Sequence, residues 1–102
     1  MNIKAMRSRA GDAAGFLKLL ANDRRLMILC ELSRGERSVG ELGEAVGLSQ
    51  SALSQHLAKL RRRHLVKTRR NSQTIHYSLA DPGAMRVVSV LYDLYCGPSR
   101  RR

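Results

Sequence analysis

Two sets of residues in this chain could do chemistry. The first is a pair of thiols, Cys30 and Cys96, the only cysteines among 102 residues. Thiols react when their pKa is lowered and they are exposed; otherwise a free cysteine behaves as a small buried hydrophobe. Arg24 and Arg25 are cationic neighbours of Cys30 in sequence, but sequence does not say where they point. The wide separation of the pair excludes a local Cys-x-x-Cys motif, and two cysteines are too few to staple a secreted fold. The second set is the run Leu48-Ser-Gln-Ser-Ala-Leu-Ser-Gln-His-Leu-Ala-Lys-Leu-Arg-Arg-Arg63, which lies in a stretch without any acid from Glu44 to Asp81. Short polar side chains at the start of a helix can hydrogen-bond base edges, and arginines at its end can meet phosphates. Gln50, Ser51, Ser54 and Gln55 are the candidate base readers. Lys59, Arg62, Arg69 and Arg70 are the candidate backbone contacts.

The elements that must position these groups follow from periodicity. Residues 1–7 are expected as a polar, frayed arm. From Ser8 to about Ala21, Ala13, Phe16, Leu17 and Leu20 recur at helical spacing. Asn22 and Asp23 are N-cap types for a second helix, with Leu26, Leu29, Cys30 and Ser33 on one face and Gly35 ending it. Ser38-Val-Gly-Glu41 has capping-box form and opens a short third helix that Gly47 stops. The turn Gly47-Leu48-Ser49 leads into a fourth helix, Gln50 to about Arg63. Two helices joined by a tight Gly-containing turn form the helix-turn-helix pattern. On that fourth helix Leu53, Leu57 and Leu60 share one side. Ser51, Gln55 and Arg62 fall opposite, Ser54 and Lys59 lie at the margins, and His56 lies nearer the apolar side.

Leu65–Arg70 and Thr74–Leu79 alternate and carry β-branched residues around the polar turn Asn71-Ser72-Gln73, which predicts a hairpin with Arg69 and Arg70 near its tip. Asp81 and Pro82 suit the N-cap and first position of a last helix reaching about Cys96. Its apolar positions Met85, Val88, Val90, Leu91, Tyr92, Leu94 and Tyr95 exceed what one core-facing stripe needs, which favours packing on a second subunit. A short basic tail, 97–102, is expected to be flexible. The whole is a mainly α winged helix-turn-helix of order α-α-α-α-β-β-α with a small β-hairpin, in one domain spanning 1–102.

Composition narrows the function class. Nineteen Lys and Arg against eight Asp and Glu give a formal charge of +11, which favours nucleic acid or an anionic surface as partner. No apolar run approaches the roughly 18 residues of a membrane span and no export signal is evident, so a soluble cytoplasmic protein is expected. His56, His64 and His76 share neither i/i+4 spacing nor a carboxylate cluster, so no metal role is assigned to them. Arg61-Arg62-Arg63 could simply solubilise a helix end. Together with the reading helix and the wing in one acid-free segment, it favours phosphate contact.

The element order, with Asn22-Asp-Arg-Arg-Leu-Met-Ile-Leu29 and Leu48-Ser-Gln-Ser-Ala-Leu-Ser-Gln-His-Leu57, resembles the ArsR/SmtB family of bacterial winged-helix repressors over roughly residues 12–96. The resemblance implies a homodimer joined through its first and last helices, one reading helix per subunit, and an inverted-repeat operator in double-stranded DNA. Many members sense metals. Where arsenic and cadmium sensors resemble Cys-Val-Cys-Asp-Leu, this chain has Ser38-Val-Gly-Glu-Leu42. Where zinc sensors carry Asp and His on the last helix, Asp93 is the only acid and no histidine is present. Neither family metal site is expected. The placement of Cys30 and Cys96 is similar to the dithiol subgroup of BigR-, SqrR- and HlyU-like regulators, which implies that the two thiols approach each other and respond to reactive sulfur species or an oxidant. Nodulation-type relatives share the reading helix without the pair.

Three other readings stay beside this one. A thiol enzyme such as a small oxidoreductase or sulfurtransferase would use the same cysteines, but the sequence offers neither a helix N-terminus at either cysteine nor a His-Asp arrangement. A general nucleic-acid compacting protein is disfavoured because stacking aromatics are sparse and lie mostly outside the basic segment. A regulator of the same family with purely structural cysteines would differ only in its trigger.

Overall fold

A computed structural model describes residues 1–97. The chain runs α1 (Ile3–Leu20), α2 (Asp23–Leu32), β1 (Arg37–Ser38), α3 (Val39–Val46), α4 (Gln50–Arg62), β2 (Val66–Asn71), β3 (Thr74–Leu79) and α5 (Pro82–Cys96). This is the expected winged helix-turn-helix, with one added strand. β1 pairs antiparallel with β3, so the wing is a three-stranded sheet of order β1-β3-β2. A strand of two residues is too short to show an alternating pattern, and Ser38 also serves as the N-cap of α3.

Each boundary has a local cause. The Asn2 side chain accepts from the Ala5 amide and starts α1 at Ile3. Residues 3–7, expected as an arm, therefore lengthen the helix. Asn22 caps α2 by accepting from the Arg25 amide. The capping box forms in full: Ser38 accepts from the Glu41 amide while Glu41 accepts from the Ser38 amide. Gly47, at φ +73°, ends α3 in the left-handed conformation that costs an L side chain energy, and Ser49 caps α4. After α4, His64 takes the left-handed φ of +61° and turns the chain into β2. Asn71 pairs with Thr74, so the expected three-residue wing turn is a two-residue one, Ser72-Gln73.

The core is built from Leu20 of α1, Ile28, Leu29 and Leu32 of α2, Leu42 of α3, Leu53, Leu57 and Leu60 of α4, Leu65 and Val66 of the wing, and Ala84 and Val88 of α5. The α4 stripe is the one the sequence predicts. The α2 face is rotated from expectation: Ile28, Leu29 and Leu32 point inward with Arg25, while Leu26 and Cys30 are half-buried at its margins. On α1 only Leu20 is buried, with Phe16 and Leu19 against the core; Ala13 and Leu17 are exposed. At the far end of α4 the Arg63 guanidinium lies across Gly15 of α1, in the space a side chain there would take.

Leu60 is wholly buried where α4 meets the body of the domain. Truncation to Ala removes a side chain with no room to collapse, and should cost about 2–5 kcal/mol in urea unfolding. A loss below about 1 kcal/mol would mean that α4 is less firmly seated than its burial implies.

Candidate nucleic-acid interface and thiol pair

Burying Leu53, Leu57 and Leu60 fixes which face α4 turns to solvent. Gln50, Ser51, Ser54, Gln55, Lys59 and Arg62 are all exposed, and so are Arg69 and Arg70 on the wing. The helix and the wing border a groove of about 440 Å³ lined by Ser54, Ala58, Arg61, Arg62 and Tyr77. Beyond the start of α4 a second depression of about 610 Å³ runs between α3 and the wing, with Gln50, Glu44, Gln73 and Thr74 on its walls. Arg61 and Tyr77 join this surface without having been singled out from sequence. Arg61 was read only as part of a basic run, and the alternation of β3 identified a strand without showing that Tyr77 faces α4.

One candidate, Arg69, has an acidic partner in the fold. The Arg69 guanidinium is already engaged: its Nε and Nη2 donate to the two Glu36 carboxylate oxygens at 3.0 and 2.8 Å. The pair holds the Glu36 carboxyl below its ordinary range, chiefly through the Arg69 hydrogen bond. The segment 45–80 carries no acid of its own, but β1 lies on the far side of β3 and delivers Glu36 from the preceding turn. Sequence could not show this, because the strand that brings the acid is two residues long. Arg69 braces the wing; Arg70, one register further out and opposite Ile75, appears in none of the ion pairs among the described residues.

The thiols lie at the other side of the domain. α2 packs on α5, and Cys30 lines a cavity of about 410 Å³ between them with Glu31, Arg34, Val88, Tyr92 and Asp93. Cys96, in the last turn of α5, is exposed, and neither thiol is in a disulfide. Burial raises the Cys30 pKa most, followed by the charges of Glu31 and of the Cys96 thiolate, which is near enough to act on it. The arginines that precede Cys30 do not offset this. Arg24 donates to the Val46 carbonyl at the end of α3, and Arg25 turns to the end of α1. Cys30 is therefore a protected, protonated thiol at neutral pH, and Cys96 is the accessible one.

Among the described residues no group of three or more His, Cys, Asp or Glu is placed to hold a metal ion, and no helix is long and apolar enough to cross a membrane. Ser38 and Gly40 occupy the start of α3, with Ser38 committed to its cap.

Comparison with known proteins agrees with this geometry. Residues 22–68, from the α2 cap into the wing, match the family described as bacterial regulatory protein, arsR family. The transcriptional activator HlyU of Vibrio cholerae is 49% identical over 96 residues, covering 94% of this chain and 89% of that protein. Its structure in the reduced form superposes with a TM-score of 0.85 at 48% identity, covering 91% of this chain and 98% of that one. The nodulation protein NolR of Rhizobium meliloti is 53% identical over 83 residues, 81% of this chain and 68% of that protein. The transcriptional repressor BigR of Xylella fastidiosa superposes with a TM-score of 0.89 at 43% identity, over 94% of this chain and 98% of that one. With a matching helix-turn-helix, wing and overall course, the chain belongs to the ArsR family of bacterial regulatory proteins and is a DNA-binding transcriptional regulator.

Proposed function

We propose that this regulator is a homodimeric repressor that binds an inverted-repeat operator while its thiols are reduced, and leaves it when reactive sulfur or an oxidant links Cys30 to Cys96. What supports the proposal is that α2, which carries the half-buried Cys30, packs on α5, which ends in the exposed Cys96. Similarity to HlyU, for which a reduced form is described, and to BigR, a repressor, supports it.

Dimerisation is supported by apolar surface that the monomer leaves uncovered. On α5, Val90, Tyr92, Leu94 and Tyr95 are 55%, 61%, 45% and 80% exposed, and on α1, Ile3, Met6 and Leu17 are likewise open. Such surface on a small soluble domain marks a contact. In a dimer built on α1 and α5, the two α4 helices enter successive major grooves about 34–36 Å apart. Gln50, Ser51, Ser54 and Gln55 then reach base edges. Lys59, Arg62 and Arg70 hold phosphates, Arg61 and Tyr77 border the same groove, and Arg69 contributes mainly through the wing it braces.

The chemistry of the switch balances with a hydropersulfide as co-reactant. The Cys96 thiolate attacks the outer sulfur, takes it, and expels the donor's thiolate. Cys30, once its proton is lost to solvent, then attacks the Cys96 Sγ, forming the disulfide and releasing hydrosulfide. A second persulfide equivalent, delivered to Cys30 first, leaves one sulfur between them instead. A direct disulfide needs Cα atoms about 4.4–6.8 Å apart, whereas a bridging sulfur spans a longer gap, so geometry selects the product. Turnover of a persulfide donor, in place of one stoichiometric modification, would favour a thiol enzyme.

Three outcomes test this. On a duplex selected from random DNA by the protein itself, affinity should fall with salt as for about 6–10 phosphate contacts. Arg62→Ala and Arg70→Ala should weaken selected and random DNA alike, Arg69→Ala should change the salt slope less than Arg70→Ala, and Gln55→Ala should mainly erode discrimination. Equal loss on both DNAs for Gln55→Ala would remove it from the reading set. In alkylation of the reduced protein, Cys96 should be modified first, with Cys30 slower; Glu31→Gln, which removes an acid beside Cys30, should speed Cys30. Equal rates at neutral pH would contradict the assigned order of attack. Finally, persulfide should lower wild-type affinity about 30- to 150-fold, equivalent to about 2–3 kcal/mol. Cys30→Ser and Cys96→Ser should bind when reduced and fail to respond. Undiminished release by either variant would leave the cysteines structural.

A further inference from the structure

Among the described residues Arg25 is the one charged residue in the buried core, only 9% exposed, and it has no carboxylate partner among their ion pairs. A buried guanidinium needs acceptors for its donors, because arginine only donates and an unpaired buried charge is costly. Two acceptors come from the end of α1. The Nε donates to the Leu19 carbonyl at 2.7 Å and Nη2 to the Lys18 carbonyl at 3.3 Å. These belong to the last turn of α1, where the Lys18 carbonyl also accepts from the Ala21 amide and the helix dipole is negative, which supplies part of the compensation a carboxylate would. The remaining contact is with the reading helix: Nη1 stands 3.4 Å from Nδ1 of His56.

That contact is a hydrogen bond in one protonation state only. With its proton on Nε2, the imidazole accepts at Nδ1. Protonated, it presents an N–H to an N–H beside a fixed positive charge. The charged groups around His56 are Asp23, Arg24 and Arg25 from α2 and Lys59 from α4 itself, while α1 contributes the carbonyls that hold Arg25. Burial, then Arg25, Lys59 and Arg24, lower the His56 pKa, and Asp23 alone opposes them. His56 follows Gln55 directly and precedes the buried Leu57, so a shift at His56 is a shift of the α4 surface.

We infer that Arg25 and neutral His56 are positioning residues for DNA binding: Arg25 ties the end of α1 to α4, and protonation of His56 breaks the tie and lowers operator affinity. The inference rests on α4 being the reading helix. The sign is opposite to the simplest expectation for a basic protein, in which added positive charge tightens DNA binding as pH falls. His56 is neutral above the ordinary histidine value of 6.5, and because its pKa is lowered in the fold, the contact with Arg25 is lost only as pH falls from there through that lowered value.

The test measures affinity for the selected duplex from pH 7.5 to 5.5 at one fixed salt concentration, for wild type and His56→Asn, with both shown by circular dichroism to stay folded across that range. Asparagine places an acceptor oxygen close to the Nδ1 position and does not titrate. Wild type should lose roughly three- to tenfold relative to His56→Asn across that range, the scale of one hydrogen bond, with the two similar at pH 7.5. Parallel pH profiles would overturn the inference. Nitrogen-15 NMR of the wild-type imidazoles gives a second reading that needs no variant: His56 should be the Nε2–H tautomer at pH 7.5, and a proton on Nδ1 would overturn it as well. If Gln55→Ala and Arg62→Ala leave DNA binding unchanged, the reading-helix assignment fails instead, a result separable from parallel pH profiles.

Discussion

The position of α2 constrains everything else in this domain. It packs on α1, α3, α4, α5 and β3, and Ile28 and Leu29 at its centre are wholly buried. A helix of ten residues that touches five elements cannot move without moving them. The same helix carries Cys30 on its α5 side and Arg25 toward α1 and α4. Interiors packed this closely shift between discrete arrangements more readily than they deform smoothly. Under the proposed switch, a covalent pull at Cys30 would act on the helix that packs against α4, with no need for a flexible linker between thiol and α4.

Strong, repeated signals made much of this legible in the sequence. The leucines of α4 recur at helical spacing and set its exposed face, so the candidate readers Gln50, Ser51, Ser54 and Gln55 all reach solvent as expected. Ser38 with Glu41, Gly47 with Ser49, and Asp81 with Pro82 are local signals that need no tertiary information, and each forms in the structure. What escaped the sequence depended on contacts between distant residues. Arg69 was read as a phosphate contact because the acid that pairs with it arrives on a two-residue strand. Spacing puts Leu26, Leu29, Cys30 and Ser33 on one face of α2, whereas the buried face is centred on Ile28, Leu29 and Leu32, which leaves the thiol half-buried at its margin. Arg24 and Arg25 looked like activating neighbours of that thiol, but helix ends elsewhere offered them carbonyls.

Charge is divided between two tasks. Net positive charge favours DNA as partner, and arginines stand exposed on α4 and the wing. Inside, one arginine is spent on structure, capping α1 and meeting α4, and one wing arginine is held by Glu36. The cavity at Cys30 is of mixed sign, with Glu31 and Asp93 beside Arg34, which pairs with Glu31 at 3.7 Å. Burial, with the Glu31 charge behind it, raises the Cys30 pKa and leaves Cys96 the more exposed of the two thiols.

The central claim is that linkage of the two cysteines, and no other modification, separates protein from operator. Intact-mass spectrometry of DNA-bound and DNA-free protein, separated after a sub-saturating dose of persulfide, tests it most directly. The expected result is that species lacking two hydrogens, with or without inserted sulfur, are confined to the DNA-free fraction, while unmodified protein and Cys96 persulfide remain bound. The same distribution of species in both fractions would contradict it.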